Sequence, residues 1–153
     1  MCGIVGIIHK DRSRPVQDHV LTAMRDLLVH RGPDDAGLYI DGHAGMGHRR
    51  LSIIDISSGH QPMTNEDESL WIVFNGEIYN FKSLRESLQG KGHRFTTKSD
   101  TEVILHLYEE KGLEFPNYLN GMFAVALWDE TRKTGLLVRD PMGKKPLYYS
   151  LRT

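Results

Sequence analysis

The chain opens on an apolar run, Gly3-Ile4-Val5-Gly6-Ile7-Ile8. It has no polar alternation, which predicts a short strand buried on both faces over residues 2–9. The spacing then changes. Val16, Val20, Met24, Leu27 and Leu28 recur at helical intervals, with Asp18 and Arg25 opposite, so a helix is predicted over 16–30 and ends at Gly32-Pro33. Residues 36–56 read as short strands broken by the hairpin signal Asp41-Gly42. A polar stretch with Ser57-Ser58-Gly59 and Pro62 reads as a loop over 57–69. Leu70–Phe74 is a strand running into Asn75-Gly76. Phe81, Leu84 and Leu88 mark a short helix closing near Gly90. Thr101–Glu110 is a stronger helix with Val103, Ile104, Leu107 and Tyr108 on its apolar face. Phe123–Trp128 and Leu136–Val138 are strands joined by a charged turn. Helices and hairpin-like strands interleave, so the expected class is α+β with largely antiparallel pairing.

Composition narrows the function classes. At 153 residues and 39% hydrophobic, the chain suits one domain with a real core. Nineteen basic against 20 acidic residues leave a formal charge of -1, with no basic stripe for nucleic acid. No segment approaches the roughly 20 apolar residues of a membrane span. The apolar N-terminal run is too short for a signal peptide, and a single cysteine cannot form an internal disulfide, so a cytoplasmic protein is expected. The eight histidines show no metal-ligand spacing, and zinc is not expected. Neither phosphate-loop pattern occurs.

The one cysteine, Cys2, stands behind the initiator methionine. Removal of Met1 would give one residue both a thiol nucleophile and an α-amine able to act as its base. With Met1 attached, that nitrogen is an amide. Position alone also fits a small buried residue opening a strand. Three further residues carry two readings each. Arg50 could clamp a carboxylate through its planar fork, or be a solvated charge at a strand end. Asn75 and Gly76 could offer two N–H donors to one oxygen, or form a tight turn. Asp100 could receive an ammonium group, or cap the helix that follows it, a role Ser99 or Thr101 could fill instead.

In order, Met1-Cys2-Gly3-Ile4-Val5-Gly6, His30-Arg31-Gly32-Pro33-Asp34, His48-Arg49-Arg50-Leu51-Ser52-Ile53, Phe74-Asn75-Gly76-Glu77-Ile78-Tyr79-Asn80, Ser99-Asp100-Thr101-Glu102, Gly121-Met122-Phe123-Ala124, and Arg139-Asp140 with Gly143 and Pro146-Leu147-Tyr148-Tyr149 span essentially the whole chain. This set closely resembles the class II glutamine amidotransferases, in particular the glutaminase domain of glutamine-hydrolysing asparagine synthetases.

The resemblance implies a four-layer αββα sandwich of the N-terminal-nucleophile hydrolase type, with residues 1–153 as a glutaminase domain that stops short of the family's last strand. It implies Cys2 as nucleophile, Asn75 and Gly76 as the oxyanion hole, Arg50 as the clamp for the α-carboxylate of glutamine, and Glu77 with Asp100 as the receptors of its α-ammonium. It also implies that the strand Leu51–Ile54, including Ile53, lines the same pocket. The implied activity is hydrolysis of glutamine to glutamate and ammonia through a Cys2 thioester. No cofactor is implied here: ATP and magnesium would belong to a separate synthetase domain, whose Ser-Gly-Gly pyrophosphate loop this sequence lacks. The implied partner is an ammonia-accepting synthetase domain or subunit. An idle glutamine- or partner-binding module, or a glutaminase serving another acceptor, are the alternatives.

Overall fold

The structure is a computed structural model that describes residues 1–51 and 59–151. In chain order it contains β1 (Gly3–Ile8), α1 (Asp18–Asp26), β2 (Asp35–Asp41), β3 (Ala44–Arg50), β4 (Met63–Thr64), β5 (Leu70–Ile78), α2 (Phe81–Gly90), α3 (Asp100–Lys111), a 3₁₀ segment (Gly112–Tyr118), β6 (Gly121–Asp129) and β7 (Thr134–Arg139). All strand pairs are antiparallel. They form one sheet in the order β1-β3-β2 and a second in the order β4-β5-β6-β7.

Strand alternation stacks the layers. On β5 and β6, Ile72, Phe74, Ile78, Phe123, Val125 and Leu127 pack against the buried faces of α2 and α3. The intervening residues Val73 and Trp128 meet Ala44 and Met46 of β3 between the sheets. On β3 the other register is occupied by Gly45 and Gly47, and these let α1 approach closely. A Cβ at Gly45 would meet the Leu21 side chain at 2.9 Å, and one at Gly47 would meet Arg25 Cβ at 3.3 Å. The order is therefore α1, first sheet, second sheet, then α2 with α3: the αββα sandwich.

The core face of α1 differs from the predicted one. Leu21 is buried, whereas Val20 and Leu27 are exposed. Arg25, expected on the outer face, sits with its Cβ over Gly47. The missing Cβ atoms of β3, rather than the most apolar stripe of the helix, decide which side of α1 docks. Two other differences concern strands. The predicted loop over 57–69 holds β4, which pairs Met63 with Ile72. And β5 does not stop at Phe74: Asn75, Gly76 and Glu77 pair with Ala124, Phe123 and Met122 as full members of the sheet.

α3 is buried at nine successive residues, Asp100 to Tyr108. No helix among the described residues is long and apolar enough to cross a membrane.

Candidate active site

β1 starts directly after Cys2 and pairs with β3 through Gly3 and Arg49. That pairing carries Cys2 to the end of β3, where its thiol donates to the Leu51 carbonyl at 3.8 Å and its Sγ accepts from the Leu51 N–H at 3.5 Å. Arg31 donates from Nε to the Cys2 carbonyl at 3.2 Å. Gly32 allows this approach, since a Cβ there would fall 2.4 Å from the Arg49 carbonyl. The Arg31-Gly32 pair thus fixes the backbone on which the sulfur sits.

Around Cys2 lies a cleft of about 100 Å³ whose wall includes Arg50, Leu51, Asn75, Gly76, Glu77 and Asp100. Space of this size suits an amino acid rather than a drug-sized ligand. Seven of the nine residues singled out from sequence therefore converge here. The other two, Ile53 and Ile54, lie outside the described residues.

Three double readings resolve. Arg50 points between the sheets and is 6% exposed, so it is no solvated strand end. Asn75 is 5% exposed in mid-strand rather than in a turn, and among the described residues its side-chain amide has no protein hydrogen bond. Gly76 serves close packing: a Cβ would meet the Met122 carbonyl at 2.2 Å. Ser99 caps α3, its Oγ accepting from the Thr101 N–H at 3.1 Å. Asp100 is left to face the cleft, with Oδ2 accepting from the Ile78 N–H at 2.9 Å. Burial raises the Asp100 pKa above the usual carboxylate value. Backbone N–H groups oppose this, and the negative charge of Glu77 adds to it. Two carboxylates on one wall favour a cation between them, while Arg50 brings a positive charge to the same cleft.

Sequence reasoning missed two wall residues, Gln61 and Lys145. Gln61 accepts from the Phe74 N–H at 2.6 Å and donates to Thr101 Oγ1 at 3.3 Å, so it ties β5 to α3 beneath the cleft. Lys145 is 7% exposed and also lines the cleft. Its place is set by Asp140, whose carboxylate accepts from the backbone N–H groups of Phe123, Lys144 and Lys145 at 3.2, 2.9 and 3.0 Å. Burial raises the Asp140 pKa, but these donors outweigh it and hold it low. The Arg139-Asp140 motif was the available signal.

A cysteine at the head of the first strand of an αββα sandwich, facing a charged cleft, defines an amidotransferase domain of the N-terminal-nucleophile type. The chain belongs to the glutamine amidotransferase domain family, whose profile matches residues 1–153. It is 49% identical over 152 residues to asparagine synthetase [glutamine-hydrolyzing] 2 of Bacillus subtilis, covering 98% of this chain and 20% of that protein. It is 47% identical over 152 residues to the B. subtilis synthetase 1, covering 98% and 24%. It is 46% identical over 149 residues to synthetase 3 of Arabidopsis thaliana, covering 97% and 25%. The chain thus spans a fifth to a quarter of the length of these relatives. Among solved structures, glutamine phosphoribosylpyrophosphate amidotransferase from B. subtilis superposes with a TM-score of 0.71 at 22% identity, covering 92% of this chain and 37% of the other. That likeness shows the fold.

Proposed function

We propose that this domain hydrolyses glutamine, with Cys2 as nucleophile, and supplies the ammonia to an ATP-dependent synthetase domain or subunit. The observation that carries the reading is the convergence of the Cys2 sulfur, the Arg50 cation and the Asp100–Glu77 carboxylate pair on one amino-acid-sized cleft. Arg50 takes the α-carboxylate by charge-assisted hydrogen bonds, and Asp100 with Glu77 takes the α-ammonium. This leaves the side-chain amide directed at Cys2.

Met1 is part of the cleft wall. Its removal frees the Cys2 amine and widens the space beside the sulfur. The amine accepts the thiol proton as Sγ attacks the amide carbon. The resulting oxyanion is held by the Asn75 side-chain N–H and the Gly76 backbone N–H. The amine then returns the proton to the amide nitrogen, the C–N bond breaks, and ammonia leaves a γ-glutamyl thioester. Water adds to the thioester, the C–S bond breaks, and glutamate departs with the thiol restored. The reaction needs no cofactor within this domain.

The test is glutamate release by the processed chain and by Cys2→Ala and Cys2→Ser. Both substitutions should lower kcat by roughly 10³-fold or more while glutamine still binds, as expected when a nucleophile is removed from a working unit. Full activity in both variants would overturn the mechanism.

A further inference from the structure

We propose that His93, His106 and Glu109 form a site for a divalent transition metal, with zinc the favoured ion, that ties the loop before α3 to the body of that helix. These residues lie apart from the cleft, which is at the N-terminal end of α3. His93 Nδ1 and His106 Nδ1 are 3.2 Å apart, His93 Nδ1 and Glu109 Oε2 are 3.2 Å apart, and His106 Nδ1 and Glu109 Oε2 are 2.9 Å apart. Three ligand atoms bound at about 2.0–2.1 Å on one face of a tetrahedral zinc are separated by roughly 3.3–3.4 Å. The observed triangle is close to that size.

The surrounding groups set the orientation of the three ligand atoms. His93 Nε2 faces Glu110 Oε1 at 3.1 Å, and His106 Nε2 faces Glu102 Oε1 at 3.8 Å. A carboxylate beside each Nε2 holds that edge of the ring and turns Nδ1 toward the shared centre, where a metal ion would displace any proton shared with Glu109. The other oxygen of Glu109 accepts from Asn65 Nδ2 at 2.8 Å, which favours its ionised form. Two imidazole nitrogens and one carboxylate oxygen therefore point at a common centre. One proton can sit between only one pair and leaves a repulsive contact elsewhere, whereas a divalent ion meets all three. Carboxylates behind the imidazoles and a donor behind the ligating carboxylate are the outer support that metal-binding histidines usually have. Two nitrogens and one oxygen suit zinc among the divalent ions. His106 is fully buried and edged by the Phe95 ring, with centroids 4.5 Å apart, while Glu109 reaches the surface and leaves room for water as a fourth ligand. The sequence hides the set because His93 lies outside the helix, 13 residues before His106.

Equilibrium dialysis of the metal-stripped full chain against Zn²⁺, with metal quantified per protein, tests the assignment. One equivalent should bind and raise the Tm, and Co²⁺ in its place should give a visible spectrum without a thiolate charge-transfer band. His93→Gln and Glu109→Gln should each weaken binding by tenfold or more, Glu110→Gln by about tenfold, and Cys2→Ala not at all. Glu109 is at the surface, so its variant keeps the test intact if His93→Gln does not fold. Failure to bind an equivalent at micromolar zinc, binding that survives Glu109→Gln unchanged, or binding lost in Cys2→Ala would overturn the proposal.

Discussion

At the scale of single residues, the cleft depends on which side chains are forced to be dry. Asp100 is 5% exposed and its pKa is raised mainly by burial, so its negative charge is costly while the cleft is empty. Asp100→Asn removes that cost and keeps an oxygen able to accept from the Ile78 N–H. The variant should fold with an unchanged or slightly higher Tm. It should bind glutamine roughly 10–100-fold more weakly, the worth of a charge-assisted hydrogen bond of about 1.5–3 kcal/mol. A KM equal to that of the parent would remove Asp100 from the ammonium site. The residue types at positions 50, 75 and 100 could be read from sequence as chemistry, but not chosen over capping, turning or solvation. That choice depends on burial and strand pairing, which are set by distant parts of the chain. Gln61 shows the opposite case: its two hydrogen bonds reach 13 and 40 residues away, and no local pattern announces them.

Among the elements, β5 matters most. Its alternation gives Asn75 to the cleft side while Phe74 and Ile78 enter the helical core, so one strand builds the site and packs the fold. Gly76→Ala would push a methyl group into the β6 backbone, with Phe123 Cα at 2.7 Å. Overpacking of this kind costs about 1–3 kcal/mol. Urea unfolding should show that loss, and kcat should fall with it as the β5 backbone shifts. An unchanged stability would mean that β6 yields freely. Most elements were legible from apolar spacing, including β1, α2, α3 and β6. The extent of β5 was not, because Asn-Gly is a strong turn signal locally and only pairing with β6 overrides it. The docking face of α1 was hidden for a similar reason: it follows from glycines on another strand.

Across the whole molecule, a buried side chain near the cleft joins the two sheets by a hydrogen bond. His48 of β3 is 1% exposed and donates from Nε2 to the Phe74 carbonyl of β5 at 3.2 Å. Burial lowers its pKa from 6.5 to about 4. The Phe74 carbonyl works against the shift, and the charge of Arg50 adds to it. Folded His48 stays neutral where unfolded His48 takes up a proton. Its contribution to stability is complete above pH 6.5 and is lost as the pH falls toward about 4. The full effect is about 3 kcal/mol. Urea unfolding at a series of pH values should show this decline, and His48→Gln should flatten it. An equal slope in the variant would assign the pH dependence to other groups.

A buried helix also constrains how the gene can change. α3 places Asp100 at its tip and His106 and Glu109 further along, packed on all sides over much of that length. Deleting or inserting one residue between positions 100 and 106 would turn everything beyond it by about 100°. No neighbouring layer could follow such a rotation. Substitutions along this stretch can be absorbed one at a time, whereas a change of its length would unseat the far end from the near end in a single step.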